Sequence, residues 1–288
     1  MILCKFMKEN FKYNKQSAPT LTLPHGGGKN CLMSNANLAI RERAYYKAFT
    51  LAEVLITLGV IGVVSALTMP ALIQNYQKQA TVTQLKKAYS EFAQAIQKAE
   101  VEHGLMETWN FKDFETSNER NKYFGENYIF PYIKTVKTCI PTSNECWAND
   151  IKNLDGNKLT DYFTNNMPQM VSFVTASGYT VYYWLHGTGI GMWYVVDVNG
   201  LKAPNKLGRD IFAFTVNWGA DKKFIPAGAN YTREEILSSE IKVPSEDKNA
   251  GGLQQYACTK DNSGSMSGAF CGALIMHDGW KIEKDYPW

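Results

Sequence analysis

The stretch RERAYYKAFTLAEVLITLGVIGVVSALTMPALIQ, Arg41 to Gln74, decides the fold. Glu53 is the only charged residue from Phe49 to Met69. As a helix rising ~1.5 Å per residue, that run measures ~31 Å, which matches a hydrocarbon core of ~30 Å. A carboxylate deep in a lipid-embedded helix costs about 2.5 kcal/mol or more. Glu53 therefore needs a reason to be there.

Working outward, the helical pattern does not stop at the end of the apolar run. Val82, Leu85, Tyr89, Phe92, Ile96 and Ala99 recur at steps of three and four, the spacing of one helical face. Gln84, Lys86, Lys87, Glu91 and Lys98 fill the other face, and His103-Gly104 supplies a stop. The spacing predicts one helix from about Thr50 to Glu102, on the order of 80 Å long. It is apolar all round at first and amphipathic later. Pro70 stands at the junction, where it should kink the helix and release a backbone bond. Upstream, the basic segment ends before the apolar run, and downstream the helical register continues; neither feature fits a cleaved secretory signal.

Thr50 and Glu53 form a T-x-x-E capping box, whose acid complements the helix dipole. Capping alone does not explain why the basic leader stops just before it, or why so long a helix follows. KAFTLAEVLITLGVIGVVSALTMPALI closely resembles the N-terminal processing signal of type IV pilins and type II secretion pseudopilins. The resemblance covers about 55 residues: a basic leader, a small residue, Phe49-Thr50-Leu51, Glu53, the apolar run and Pro70. It implies that a membrane prepilin peptidase cuts between Ala48 and Phe49 and N-methylates Phe49. It also implies that the helices then pack into a filament core, with Thr50, Glu53 and Pro70 as assembly positions. In the family, the glutamate pairs with the N-terminal amine of a neighbouring subunit. Physically, cleavage leaves an ammonium at Phe49 in a low-dielectric bundle, and Glu53 supplies the counter-charge. Two departures stand out. Ala48 occupies a position where the family usually has Gly, and a leader of residues 1–48 is long. Met33 is the expected true start, with MSNANLAIRERAYYKA as the leader.

Charge sets the orientation. Residues 1–48 carry eight basic side chains against Glu9 and Glu42, while the chain from Phe49 onward has a net charge of −3. Basic residues before the span place the leader in the cytoplasm and the C-terminal bulk outside it. The acidic body argues against a nucleic-acid footprint. Cys139, Cys146, Cys258 and Cys271 lie in the exported part, where disulfides form. Three connectivities are open, and the short spacings favour Cys139–Cys146 and Cys258–Cys271. A zinc site would want closer cysteine pairs or histidines, but His25, His103, His186 and His277 are scattered. The second pair is similar to the C-terminal disulfide loop of many pilins.

The expected fold is α+β: a long helix, hydrophobic then amphipathic, lying on an antiparallel sheet in a pilin-like head. Residues 1–48 read as leader, 49–73 as the transmembrane and filament-core half of the helix, 74–104 as its amphipathic half, and 105–288 as the exported head. VSFVTAS, YTVYYWLH, GMWYVVDV and DIFAFTVNW are rich in β-branched and aromatic residues and predict strands. Gly178 and the 187–191 segment fit hairpin turns. Residues 105–170 read as a connecting region without clear strands, and the tail from Ile225 as loop-rich. The aromatics Tyr182, Tyr183, Trp184, Trp193, Tyr194 and Trp218 suit sheet packing better than a sugar-binding face.

Asp197, Asn199, Asn205 and Asp210 gather in DVNGLKAPNKLGRD. Some pseudopilins hold calcium in a head loop, so Asp197, Asn199 and Asp210 are calcium candidates. An Asx-and-glycine turn explains the same residues, and the EF-hand pattern is incomplete. No cofactor other than calcium is expected.

Enzyme signatures are absent from the sequence. The glycines after His25 lack a G-x-S-x-G partner, GTGIG is neither a P-loop nor a dinucleotide fingerprint, and no H-E-x-x-H occurs. The expectation is a non-enzymatic structural subunit, minor or specialised, of a type IV pilus-like or type II secretion filament. It would be held first as a single-pass protein of the inner membrane and then in a filament in the periplasm or at the cell surface. Its partners would be the prepilin peptidase/N-methyltransferase, other pilin or pseudopilin subunits, and the assembly platform with its ATPase. The competing reading is an anchored, exported binding domain that never polymerises.

Overall fold

The computed structural model describes residues 49–109, 113–148, 150–159, 170–186, 191–217, 224–238, 256–261 and 266–288. The leader with His25, Met33 and Ala48, the glycine-rich segment 187–190 and Trp218 lie outside the described residues. By its internal contacts the chain divides into Met1–Val54 and Leu55–Trp288.

Helix α1 spans Leu51–His103, with Pro70 inside it rather than at its end. A proline has no N–H to donate, so the carbonyl of Ala66 loses its usual partner there. Gly104, at φ 81°, ends the helix in the left-handed conformation that glycine adopts most readily. Leu85, Ala88, Phe92, Ala95, Ile96 and Ala99 are buried along one face. The phenyl ring of Phe92 lies 3.7 Å from the ring of Tyr194 and 4.5 Å from that of Phe224, centre to centre. Tyr89 stacks on Phe214 and Phe224. The amphipathic half of α1 thus packs on a sheet through a seam of aromatic rings.

That sheet is an antiparallel meander of six strands in chain order: β1 (Thr135–Cys139), β2 (Val171–Thr175), β3 (Thr180–His186), β4 (Gly191–Asp197), β5 (Ile211–Asn217) and β6 (Phe224–Pro226). Register places Tyr183, Tyr194 and Phe214 side by side on the face that meets α1. Tyr182, Val195 and Ala213 alternate onto the other face. That second face is covered too. Trp147 stacks on Tyr182, and Trp193 lies between Trp184 and Tyr256. Tyr256 meets Phe270, which stacks on Tyr231. A sheet buried on both sides reads as nearly continuous apolar strands, which is the pattern of VYYWL and FAFTV.

Two parts of the chain carry more structure than their sequence suggests. The 105–170 region holds helix α2 (Ser117–Phe124), closed by a Thr116–Glu119 capping box, and the edge strand β1. Three successive residues of β1, Val136, Lys137 and Thr138, are exposed, so alternation is weak in its sequence. The tail contributes β6 to the edge of the sheet, and helix α3 (Arg233–Leu237) and helix α4 (Cys271–His277) to a third layer. Disulfides join Cys139 to Cys146 and Cys258 to Cys271. Gly208, at φ 73°, lies so close that an added Cβ would stand 2.6 Å from the sulfur of Cys271. A side chain there would collide with the second bridge.

Candidate functional site

In the first unit the feature of interest is the opening turn of α1. Thr50 donates its N–H to Glu53 Oε2 at 2.9 Å and its hydroxyl to the same oxygen at 3.0 Å. Glu53 N–H in turn donates to Thr50 Oγ1 at 3.2 Å. The capping box is therefore closed in both directions. It engages one oxygen of the carboxylate. Phe49, just before it, is 85% exposed.

In the second unit, α1 continues with a run of exposed aliphatic side chains. Leu55, Ile56, Leu58, Val60, Ile61, Val63, Leu67, Leu72 and Ile73 are all exposed. This is the one helix, among the described residues, long and apolar enough to cross a membrane, and its most apolar window has no buried share. Leaving so many aliphatic side chains in water is costly, at roughly 1.5–3 kcal/mol for each that could be buried. A contiguous apolar surface of this kind marks a membrane or protein contact. Pro70 and Thr68 fall within it, and the Thr68 hydroxyl donates back to the Val64 carbonyl at 2.9 Å.

The calcium candidates do come together, around the turn after β4. Asp197 and Asp210 are buried, at 1% and 2% exposure. Asp210 accepts from Lys206 N–H at 2.6 Å, Asn205 N–H at 2.9 Å and Asn199 Nδ2 at 3.1 Å. Asp197 accepts from Asn199 N–H at 3.2 Å. The Asn205 amide, turned to donate, reaches Asp197 Oδ2 at 3.2 Å and the Lys202 carbonyl at 3.0 Å. The carboxylates are thus ringed by N–H donors, the arrangement of an Asx-organised turn. Calcium takes six to eight oxygens, and no group of three acidic, histidine or cysteine side chains is placed to share a metal among the described residues. Burial, and then the charge of Asp210, pushes the Asp197 carboxyl up to about 9. Asp210 is also raised by burial, against the pull of its hydrogen bonds.

Of the sheet aromatics, Tyr182, Tyr183, Trp184 and Tyr194 are buried in the core and Trp193 packs against it, while Trp218 lies outside the described residues. One polar contact between helix and sheet had no signal in the sequence. Glu91 on α1 accepts hydrogen bonds from Ser177 and Tyr179 of the β2–β3 turn, an acid that pattern alone assigns to the solvent face.

Comparison with known proteins adds three findings. Over 62 residues the chain is 32% identical to the Prepilin peptidase-dependent protein D of Escherichia coli (strain K12). That match covers 22% of this chain and 42% of the relative, less than half the relative's length. No solved structure matches the chain. A protein family matches residues 71–288, which is most of the chain, and this protein therefore belongs to it: the family of unknown function DUF6613.

Proposed function

We propose that this chain is a non-enzymatic structural subunit, minor or specialised, of a type IV pilus-like or type II secretion filament. The observation that carries the reading is the first half of α1. Its aliphatic surface is unburied, and a closed Thr50–Glu53 box stands at its start. In a membrane that surface meets lipid, and in a filament it meets the same helix of other copies. Similarity to a relative whose name declares dependence on prepilin peptidase supports the same reading. On it, the peptidase cuts between Ala48 and Phe49 and methylates Phe49. The single-pass precursor waits in the inner membrane with its head exported. The platform and its ATPase then draw it into a filament, where Glu53 faces the Phe49 ammonium of a neighbour.

The test is co-expression of the full chain with a pilus or secretion assembly system, followed by shearing and fractionation. The expected result is mature chain in the sheared filament fraction. Mature chain confined to membranes while other subunits are recovered in filaments would replace this reading with that of an anchored, non-polymerising domain.

A further inference from the structure

Where α1 leaves its apolar stretch, the head presents a cluster of cations that runs against its overall charge. Lys152 bridges to Lys158 on one side and to Lys206 on the other, so three lysines stand in a row on adjacent backbones. Backbone bonds hold that register, from Lys152 N–H to Asn205 O and from Leu207 N–H to Lys152 O, each at 2.9 Å. Like charges placed directly opposite one another destabilise a pairing. Lys206 is held below its ordinary value by burial first, and then by Lys260, Arg209 and Lys152, with Asp155 opposing. The row continues onto the helix through Trp288. Arg209 lies 5.2 Å and Lys78 5.8 Å from its ring, and Lys260 Nζ donates to its carbonyl at 2.9 Å. Trp288 and Arg209 share a cleft of about 220 Å³ with Tyr76, Gln77 and Gln84 of α1.

Position gives the cluster its meaning. Lys78 is five residues past Ile73, the last of the exposed aliphatic run, or about 7.5 Å along a helix. Headgroup layers extend roughly 5–7 Å beyond each side of the hydrocarbon core. Tyr76 is 71% exposed at this level, and Trp288 is half-buried. Tyrosine, tryptophan, lysine and arginine are the residues that anchor proteins at such a boundary. Acids stand within the row as well: Asp150 pairs with Lys158 at 3.7 Å and Asp155 opposes the cations around Lys206, which leaves Lys78, Lys152, Arg209 and Lys260 in excess on this face.

We infer that the face formed by Lys78, Lys152, Lys206, Arg209, Lys260 and Trp288 beds on anionic phospholipid headgroups and holds the head upright on the bilayer before assembly. This rests on the anchor reading of α1. A phosphodiester headgroup supplies negative charge to the basic residues that stand in excess of Asp150 and Asp155 on this face. Each basic residue near an anionic surface gains about fivefold in binding, and salt screens the gain.

The experiment uses the full chain in lipid nanodiscs, one copy per disc, made of phosphatidylcholine alone or mixed with phosphatidylglycerol. Amine labelling of Lys152, Lys206 and Lys260 is followed by mass spectrometry, with Lys122 of α2 as the internal reference. Protease protection of Leu55–Ile73 reports on insertion separately. In phosphatidylglycerol discs, labelling of the three lysines should slow about fivefold or more, recover in high salt, and leave Lys122 unchanged. Lys152→Gln, at an exposed position, should weaken protection of Lys206 and Lys260. Equal labelling in both lipids with a protected helix would overturn the headgroup contact and leave the anchor standing. Loss of helix protection would overturn both. Protection that is absent at one copy per disc but present in discs loaded with two, whatever the lipid, would overturn it in favour of contact with a second copy.

Discussion

Glu91 of α1 accepts the hydroxyl of Tyr179 at 2.9 Å on one carboxylate oxygen and the hydroxyl of Ser177 at 2.7 Å on the other. Tyr179 is 2% exposed, and burial followed by Glu91 keeps its phenol protonated far above the ordinary value. The helix is thereby bonded as well as packed to the β2–β3 turn. Glu91→Ala would leave a buried hydroxyl without its acceptor, at a cost of about 2 kcal/mol. Glu91→Gln, which keeps an acceptor oxygen, should recover about half of that. Thermal melts of the full chain in detergent provide the measurement, and equal melting of Glu91→Ala and the natural chain would reduce the contact to a surface bond.

The Asp197–Asp210 pair sets a pH dependence whose sign follows from burial. Folded Asp197 titrates at about 9 against an ordinary 3.8, so the native state holds a proton that the unfolded chain has lost. Stability should therefore fall as pH rises between about 4 and about 9, and level off above. Asp197→Asn cannot ionise; it should flatten that slope and raise the melting temperature at pH 8. Chelator discriminates the metal reading, because a calcium ion bound to the native state would stabilise it by mass action. With the turn held by Lys206, Asn205 and Asn199 donors, the melting curve in excess chelator should not move.

Much of this fold is written in short-range pattern. The buried face of α1 follows the three-and-four spacing of Leu85, Phe92, Ile96 and Ala99, and β2 to β5 follow their β-branched and aromatic runs. Strand β1 escapes because a short edge strand with an exposed Val136 and Lys137 has no buried face to announce itself. The third layer escapes because Tyr256 and Phe270 are isolated aromatics in a segment rich in glycine and serine. The Thr50–Glu53 box is legible because both partners lie within one turn. The lysine row is not, since Lys152 and Lys206 meet only through the tertiary bridge.

Cys258–Cys271 closes a loop in the layer that covers the second face of the sheet, with both residues fully buried. A loop of that size is worth about 3 kcal/mol in the chain-entropy model. Replacing both cysteines with Ala should lower the melting temperature by several degrees. Cys139–Cys146 closes a shorter loop beside the edge strand, and its loss should cost less. Non-reducing peptide mapping that found free thiols or crossed pairs would contradict this assignment.

Processing is tested by mass. Intact mass of the chain extracted from membranes carrying prepilin peptidase should match a protein that begins at N-methylated Phe49. A product that retains residues 33–48 would point to Ala48 as a poor substrate for the peptidase. A mature terminus elsewhere in α1 would remove the basis for pairing Phe49 with Glu53.

Glu53→Ala separates the two roles open to this carboxylate. As a cap it accepts the N–H of Thr50 and returns its own to Thr50 Oγ1, and losing that is worth about 1 kcal/mol. A helix of 53 residues, packed along its second half, should tolerate such a loss and still insert. Cleavage should also proceed, because it reads the leader and the apolar run. Assembly is different. The Phe49 ammonium made by cleavage would enter a low-dielectric bundle without its counter-charge, at a cost of several kcal/mol. The variant should therefore accumulate in the membrane as mature protein and be lost from the sheared filament fraction by tenfold or more, since each ~1.4 kcal/mol is a factor of ten. Glu53→Gln sharpens the test, because it keeps an acceptor for the cap and removes only the charge. If Glu53→Gln enters filaments as well as the natural chain, capping is the whole role of Glu53 and the pairing fails.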